Sequence, residues 1–366
     1  GKYTYLQLPE RIGDRGLATA ELIDMREVFK TKGKDIALSD QMLTAIAETH
    51  AKGEQVIILL NRRGFSQFVL CRRCGETLKC KNCDITLTFH RGANRLVCHY
   101  CNYRENVPKI CPHCRSEFLY FVGEGTENLE DQLRKKFPTM RIARVDRDTM
   151  AHKGELDQIL LDFAAGRLDM LVGTQMIAKG HDFPNVTLVG VISVDIGLGL
   201  PDLRSAERTF QLITQVAGRS GRGAKPGRVL IQTYYPEHYA LRHAVNQDYD
   251  GFYAEEIRYR ERLAYPPFFV LASIMIKHRD HAQAMTNANI LRRSLDAANP
   301  ERRVRVLGPA PATIGRLKNE FRVQMILKAQ SRRALRETLD VALADAEAHG
   351  AEMRHIYVEI DPVNLM

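Results

Sequence analysis

The eight cysteines of this 366-residue chain all fall within 44 residues, in four Cys-x-x-Cys pairs. The pairs are Cys71/Cys74, Cys80/Cys83, Cys98/Cys101 and Cys111/Cys114. A Cys-x-x-Cys turn directs two thiolates at one point, and two such turns complete a tetrahedral four-sulfur zinc site. Disulfides are the rival interpretation, but neighbouring cysteines in a long chain without a signal-peptide pattern favour metal. The sequence therefore predicts two structural Zn²⁺ ions.

The spacers between successive pairs are 5, 14 and 9 residues. The long middle spacer suffices for a hairpin, which favours a nested arrangement: Cys71, Cys74, Cys111 and Cys114 in one site, and Cys80, Cys83, Cys98 and Cys101 in the other. Sequential and crossed pairings remain open. His90, His99 and His113 are spare candidates, and we expect each to be a surface histidine because eight thiolates are available.

The net charge of +9 favours a polyanionic partner, and the zinc segment carries much of that excess. Its basic residues are Arg72, Arg73, Lys79, Lys81, Arg91, Arg95, Arg104 and Lys109, against Glu76, Asp84 and Glu105. Phe89, Tyr100 and Tyr103 are interleaved with them and could stack on bases. We therefore predict nucleic acid as a partner. No apolar run approaches the ~20 residues that span a bilayer, so no membrane is expected.

Apolar runs and helical periods alternate along most of the chain. The run at 55–60 is continuous and follows Gly53, which is typical of a strand buried on both faces. Strand–helix alternation predicts a parallel α/β sheet, which the zinc segment interrupts. After a helical stretch at about 236–263, the order β-α-β-β-α-β predicts a small split-βαβ domain. The predicted domains are a linker at 1–16, an α/β lobe at 17–70 and 115–235, the zinc insertion at 71–114, and an α+β domain at 236–366.

Two constellations could hold phosphate. In Gln215-Val-Ala-Gly-Arg-Ser-Gly-Arg222, the residues Gln215, Arg219 and Arg222 share one helix face, and two guanidiniums can clamp a phosphoryl group. In the segment 171–184, a strand ends at Gly173 and Thr174, where amides and a hydroxyl can hold a phosphate. Lys179, Gly180 and Asp182 follow in the same loop. Taken alone, either motif also fits an ordinary solvated helix end or loop.

Together these segments resemble motifs V and VI of superfamily-2 helicases, in the second RecA-like lobe. With Leu200-Pro-Asp202, Arg204-Ser-Ala-Glu-Arg208, Tyr265-Pro-Pro267 and the inserted cysteine pairs, the chain resembles the bacterial primosomal replication-restart helicases. The resemblance covers essentially the whole chain. It implies an ATP-dependent 3′→5′ DNA helicase, using ATP and Mg²⁺, that recognises stalled forks and reloads the replicative helicase.

The same resemblance implies roles for single residues and partners. Arg219 and Arg222 would be arginine fingers, Gln215 would lie at the nucleotide, and Gly173, Thr174, Lys179, Gly180 and Asp182 would couple nucleotide to DNA. The implied partners are forked and single-stranded DNA, single-stranded-DNA-binding protein and other primosome proteins. A bacterial cytoplasm, at the nucleoid, is the expected location.

The sequence departs from that family in one respect. It has no G-x-x-x-x-G-K-[ST] phosphate loop, because Gly1-Lys2 and Gly33-Lys34 are followed by Tyr3 and Asp35, and it has no Asp-Glu dipeptide. Asp195, which follows an apolar run, mimics a Mg²⁺-binding acid but is interpreted as a loop residue. We therefore expect the chain to be the C-terminal half of the enzyme and inactive alone. The alternative is a non-catalytic zinc-ribbon module that binds DNA or a protein.

Overall fold

The computed structural model describes residues 4, 6, 18–33, 36–60, 67–83, 85–122, 129–145, 154–174, 183–218 and 225–365. The chain divides into two compact units. The first, the parallel-sheet unit, draws on Gly1–Arg63, Thr126–Asp195 and Thr209–Asp248. The second, the zinc unit, draws on Gly64–Gly125, Ile196–Arg208 and Tyr249–Met366. Most of the linker predicted at 1–16 lies outside the described residues.

The parallel-sheet unit is built on six strands that pair in parallel throughout. In spatial order they are β1 (Thr19–Asp24), β11 (Arg228–Thr233), β10 (Val186–Ile192), β2 (Gln55–Leu60), β9 (Met170–Gly173) and β8 (Ile142–Val145). Every residue of the two central strands, β2 and β10, is buried. Continuous apolar runs of this kind suit strands covered on both faces, as the sequence predicted.

Helices connect these strands and complete their core. They are α1 (Met25–Lys32), α2 (Asp40–Ala51), α3 (Leu129–Lys136), α4 (Glu155–Ala164) and α7 (Tyr239–Val245), while α5 (Val194–Leu198) and α6 (Ser205–Ala217) have residues in both units. Ser39 caps α2 as its sequence position suggests, with its Oγ accepting from the Met42 backbone N–H at 3.2 Å. The side chains of Met42 and Ile46 on α2 are fully buried against the sheet core.

The insertion after β2 forms its own antiparallel sheet within the zinc unit. Its strands, in spatial order, are β6 (Arg104–Asn106), β5 (Arg95–Val97), β4 (Thr88–His90), β3 (Gln67–Cys71) and β7 (Leu119–Val122). Strand β7 pairs with β3 rather than with a strand of the parallel sheet, so residues 119–122 belong to the insertion.

The tail begins with α8 (Tyr249–Arg262), so the helical stretch predicted at about 236–263 is two helices. Its sheet has the spatial order β13 (Val304–Leu317), β14 (Glu320–Ala329), β12 (Val270–His278) and β15 (Ile356–Ile360), all antiparallel. Helices α9 (His281–Ala297) and α10 (Arg332–Ala348) share a core with this sheet. This is the predicted split-βαβ arrangement. The predicted fold class, a parallel α/β lobe with a zinc insertion and an α+β tail, is confirmed.

No helix among the described residues combines the length and the apolar content needed to cross a membrane.

Candidate zinc centres and helicase-motif residues

The cysteines gather into two groups of four, all within the zinc unit. One group is Cys71, Cys74, Cys111 and Cys114, and the other is Cys80, Cys83, Cys98 and Cys101. This is the nested arrangement, with the first and last pairs together and the two middle pairs together. All eight are free thiols. In each pair the first cysteine is buried and the second is half-buried.

The sulfur separations suit a tetrahedral ion. The Sγ atoms of Cys71 and Cys114 are 3.6 Å apart, those of Cys74 and Cys111 are 3.8 Å apart, and those of Cys80 and Cys101 are 3.6 Å apart. A Zn–S distance of about 2.3 Å in tetrahedral geometry places ligand sulfurs about 3.8 Å apart. Four thiols at these distances and without a disulfide are the donor set of a structural zinc site.

Local backbone geometry creates the turns that hold these sulfurs. Gly75, Asn102 and Arg115 each directly follow the second cysteine of a pair, and each has a positive φ, of 78°, 62° and 60°. Their N–H groups donate to the carbonyls of the first cysteines, Cys71, Cys98 and Cys111, at 2.8, 2.9 and 2.9 Å. The chain thus turns tightly around each of these three pairs, and both thiols of a pair lie in the same group of four.

We call Cys80, Cys83, Cys98 and Cys101 the inner centre, and Cys71, Cys74, Cys111 and Cys114 the outer centre. The electrostatics of the inner centre also favour a bound cation. Hydrogen bonding with the thiols of Cys83 and Cys98 lowers the pKa of Cys80, while bonding with Cys80 and Cys83 raises the pKa of Cys98. Without an ion, the four sulfurs cannot all be thiolates because their charges repel. A divalent ion removes that conflict by binding all four in the deprotonated form.

The aromatic residues of the insertion are core residues. Phe89 and Tyr100 are buried, in one cluster with Tyr265, Leu307 and Ile326 of the tail. The prediction that Phe89 and Tyr100 stack on bases is therefore wrong, because their rings are covered by the protein.

Tyr103 is half-buried, and its ring and hydroxyl both have partners within the insertion. Lys81 Nζ lies 4.7 Å from its ring centroid, and its hydroxyl donates to Glu105 Oε2 at 2.7 Å. Base stacking by Tyr103 stays a prediction that would require Lys81 to move.

His99 is not the surface residue that the sequence suggested. It is fully buried, its Nδ1 lies 2.7 Å from the carbonyl oxygen of Pro311, and its own carbonyl accepts from Gln324 Nε2 at 2.8 Å. Burial lowers the pKa of His99 to about 4. His90 is half-buried beside it, with 3.3 Å between the two Nε2 atoms, while His113 is exposed. The turn between Cys98 and Cys101 is therefore packed against the sheet of the tail.

The helicase-like motifs are described only in part. Gly173 is the buried last residue of β9, and the backbone N–H of Thr174 donates to the Val145 carbonyl at 3.3 Å. These residues lie at the carboxyl end of a parallel strand, the edge at which α/β proteins bind ligands. Gln215 is exposed on the last turn of α6. Lys179, Gly180, Asp182, Arg219 and Arg222 lie outside the described residues.

Two buried carboxylates accept hydrogen bonds that the sequence did not predict. The interpretation of Asp195 as a loop residue is wrong, because Asp195 lies in helix α5. Asp195 is buried, with Oδ1 accepting from Thr233 Oγ1 at 2.6 Å and Oδ2 from the Tyr234 N–H at 3.1 Å. Burial raises its pKa to about 6. Asp202 is also buried, and accepts from the backbone N–H groups of Arg204 and Leu365 at 2.8 and 3.3 Å. A polar residue directly after an apolar run was the available signal for Asp195.

Three family models match the chain. The primosomal protein N C-terminal domain matches residues 261–363, the PriA DNA helicase Cys-rich region domain matches 80–105, and the helicase conserved C-terminal domain matches 99–224. The matches therefore include part of the α/β lobe, three of the four cysteine pairs and most of the tail.

Among curated relatives, the chain is 43% identical over 361 residues to replication restart protein PriA of Bacillus subtilis, covering 99% of this chain and 44% of that protein. It is 42% identical over 331 residues to the protein of the same name from Synechocystis, covering 89% and 40%. The chain thus spans less than half the length of these two relatives.

Among solved structures, RecG bound to a three-way DNA junction is similar at 15% identity and a TM-score of 0.36, covering 68% of this chain and 22% of that one. That likeness is too low to support an inference.

Proposed function

Because the chain belongs to the family of replication restart protein PriA, we propose that it forms the second RecA-like lobe, the zinc module and the C-terminal domain of an ATP-dependent 3′→5′ DNA helicase. In this proposal the helicase recognises stalled or collapsed replication forks and restarts replication by primosome assembly. The observation that carries the proposal is the identity of 43% along 99% of the chain, which runs through the lobe, the cysteine pairs and the tail alike.

The proposed nucleotide site requires a partner lobe that holds ATP and Mg²⁺. Arg219 and Arg222 would act as arginine fingers, which stabilise the charge that develops on the transferred phosphoryl group. Gln215, exposed at the end of α6, would approach the same nucleotide. Gly173 and Thr174, with Lys179, Gly180 and Asp182 in the following loop, would link the nucleotide site to the DNA backbone.

The proposed partners are forked and single-stranded DNA, single-stranded-DNA-binding protein and other primosome proteins, at the bacterial nucleoid. The net charge of +9 supports a nucleic-acid partner. Since Phe89 and Tyr100 are buried, we assign DNA contact by the cysteine-rich insertion to its cations rather than to stacking by these two rings.

The decisive experiment measures DNA-stimulated ATP hydrolysis by the full-length protein that contains this chain. Arg219→Ala and Arg222→Ala should each lower the rate by ~10³–10⁵, the effect of losing an arginine finger, with fork binding nearly unchanged. Arg167→Ala is the matched control, because Arg167 is a surface arginine of the same unit that pairs with Asp162 at 2.6 Å. Near-normal turnover in both finger variants would refute the assigned roles.

The same assay separates the proposal from a purely binding function. If the full-length wild-type protein binds forked DNA but hydrolyses no ATP in its presence, the chain belongs to a non-catalytic zinc-ribbon module.

A further inference from the structure

A second kind of metal-ligand cluster lies in the tail domain, away from the cysteines in sequence. His278 is the last residue of β12. Glu352 directly precedes the 3₁₀ turn Met353–His355 that leads into β15, and His355 is the last residue of that turn. The three offer ligand atoms that all lie within 4.8 Å of one another, and all three side chains are half-buried. We propose that His278, Glu352 and His355 form a third metal site, which binds a divalent first-row transition ion such as Zn²⁺.

The distances between the three ligand atoms need only small adjustments for one metal ion to contact all of them. His355 Nε2 and Glu352 Oε2 are 3.5 Å apart, close to the ~3.4 Å that separates two ligands of a tetrahedral ion at about 2.1 Å. The His278 and His355 rings meet edge to face with centroids 4.7 Å apart. Rotation of these half-buried rings about their terminal torsions, which have broad energy wells, can close the remaining gap.

Neighbouring groups already orient the ligands. The backbone N–H of Asp280 donates to His278 Nδ1 at 2.9 Å, and the Asp280 carbonyl lies 3.1 Å from the same nitrogen. An Nδ1 that accepts this hydrogen bond leaves the proton on Nε2, so metal binding requires the other tautomer, in which Nδ1–H donates to the Asp280 carbonyl and the Nε2 lone pair is free for the ion. Gln283 Nε2 donates to Glu352 Oε1 at 3.0 Å, which leaves Oε2 for the ion. Metal-binding histidines and carboxylates are usually held by such outer contacts.

The donor set selects the ion. Two imidazoles with one carboxylate suit Zn²⁺ and its first-row neighbours, whereas Mg²⁺ and Ca²⁺ prefer oxygen ligands throughout. Three protein ligands leave a coordination position for water. The site therefore differs from the cysteine centres, which are closed four-sulfur sets.

The guanidinium group of Arg354 would compete with the metal ion for Glu352. Arg354 Nη2 donates to Glu352 Oε2 at 2.8 Å, on the atom that the metal would take. Its side chain is 77% exposed, so it can swing into solvent. Removal of Arg354 should therefore tighten metal binding, whereas removal of a ligand should weaken it.

The site would strengthen an edge of the tail sheet. Strand β15 is one of the two outer strands of that sheet and pairs only with β12 among the described strands. An ion shared between the end of β12 and the turn before β15 would hold the two strands together at one end. Slower amide exchange in β15 should accompany metal binding.

The test is a zinc titration of the chain with both cysteine centres filled, followed by metal analysis and by exchange of the β15 amides. The wild-type chain should bind a third equivalent, and His278→Ala and His355→Ala should each weaken that equivalent more than about tenfold while retaining the first two. Glu352→Gln should weaken it while keeping an oxygen for Gln283. Arg354→Ala should bind it more tightly, and His349→Ala, at an exposed histidine of the same unit, should change nothing.

Three outcomes would overturn the proposal. These are the absence of a third equivalent as free zinc is raised to millimolar levels, a third equivalent of unchanged affinity in both ligand variants, and a weaker third equivalent in Arg354→Ala. Circular dichroism of each variant guards against loss of the fold. Should His278→Ala fail to fold, Glu352→Gln, on the turn before β15, supplies the same comparison.

Discussion

His99, inside the third Cys-x-x-Cys pair, places its Nδ1 2.7 Å from the carbonyl oxygen of Pro311 in β13, 212 residues further along the chain. The backbone carbonyl of His99 in turn accepts from the Gln324 side chain at 2.8 Å. A zinc knuckle and a sheet of the tail domain therefore share buried hydrogen bonds. We conclude that the inner zinc centre is a structural part of the tail, and the first prediction tests this.

Loss of the inner centre should damage the zinc unit more than loss of the outer centre. Cys80 and Cys98 belong to the same core cluster as Tyr265 and Leu307, while no cysteine of the outer centre does. Cys101→Ser and Cys114→Ser form a matched pair, because both residues are half-buried second cysteines. Each variant should release one zinc. Binding of one structural zinc contributes ~10–16 kcal/mol to the free energy of folding, and Cys101→Ser should lose more of this contribution than Cys114→Ser.

Zinc content and hydrogen exchange of the β14 amides measure this difference. Equal protection of β14 in the two variants would show that the inner centre does not support the tail sheet.

The Gln324 hydrogen bond can be tested alone. Gln324→Met keeps the volume but leaves the buried carbonyl of His99 without its donor, which should lower the free energy of unfolding by about 1–3 kcal/mol. Gln330→Met is the control, since Gln330 is exposed six residues further on. Chemical denaturation of the zinc-loaded chain gives both values, and equal stability of the two variants would contradict the prediction.

Asp195 should make the stability of the parallel-sheet unit depend on pH. Its folded pKa of about 6 lies above the ordinary value of 3.8, because burial disfavours the carboxylate. The contribution of Asp195 to the free energy of unfolding is therefore fully present below pH 3.8 and is lost as the pH rises through about 6.

Asp195→Asn removes this titration. The unfolding free energy of the wild-type chain minus that of the variant should fall by roughly 2.4 kcal/mol between pH 4 and 7, because each pH unit between the two pKa values is worth about 1.4 kcal/mol. Denaturant unfolding over that pH range measures it. A difference that stays constant with pH would show that Asp195 titrates normally.

Gly190 should tolerate no side chain. A Cβ at this position of β10 would lie 2.7 Å from Ile58 Cδ1 and 2.8 Å from Met42 Sδ, inside the packed core. Gly190→Ala should lower the free energy of unfolding by about 1–3 kcal/mol through overpacking. Gly92→Ala is the control, because a Cβ there meets nothing within 4 Å. Denaturant unfolding compares the two, and a stable Gly190→Ala chain would indicate a looser core.

Local patterns in the sequence determined much of this protein. The apolar runs at 55–60 and 186–192 predicted strands buried on both faces, because period and composition are local signals. The spacing of the cysteines predicted four knuckles, since a Cys-x-x-Cys turn is formed by its own backbone. The helicase-like residues around Gln215 and Thr174 were also found from sequence, while their roles remain proposals.

Only the tertiary structure decided that the Cys-x-x-Cys turns of the inner centre pack against the sheet of the tail. His99 and Tyr100 look like exposed polar and aromatic residues of a basic hairpin, yet both are buried against a sheet whose strands begin some 170 residues later. The partner of His278 is likewise distant, on the turn that precedes β15. Burial and ligand grouping depend on which distant segments pack together, and that choice is made by the summed contacts of the whole core rather than by any local pattern.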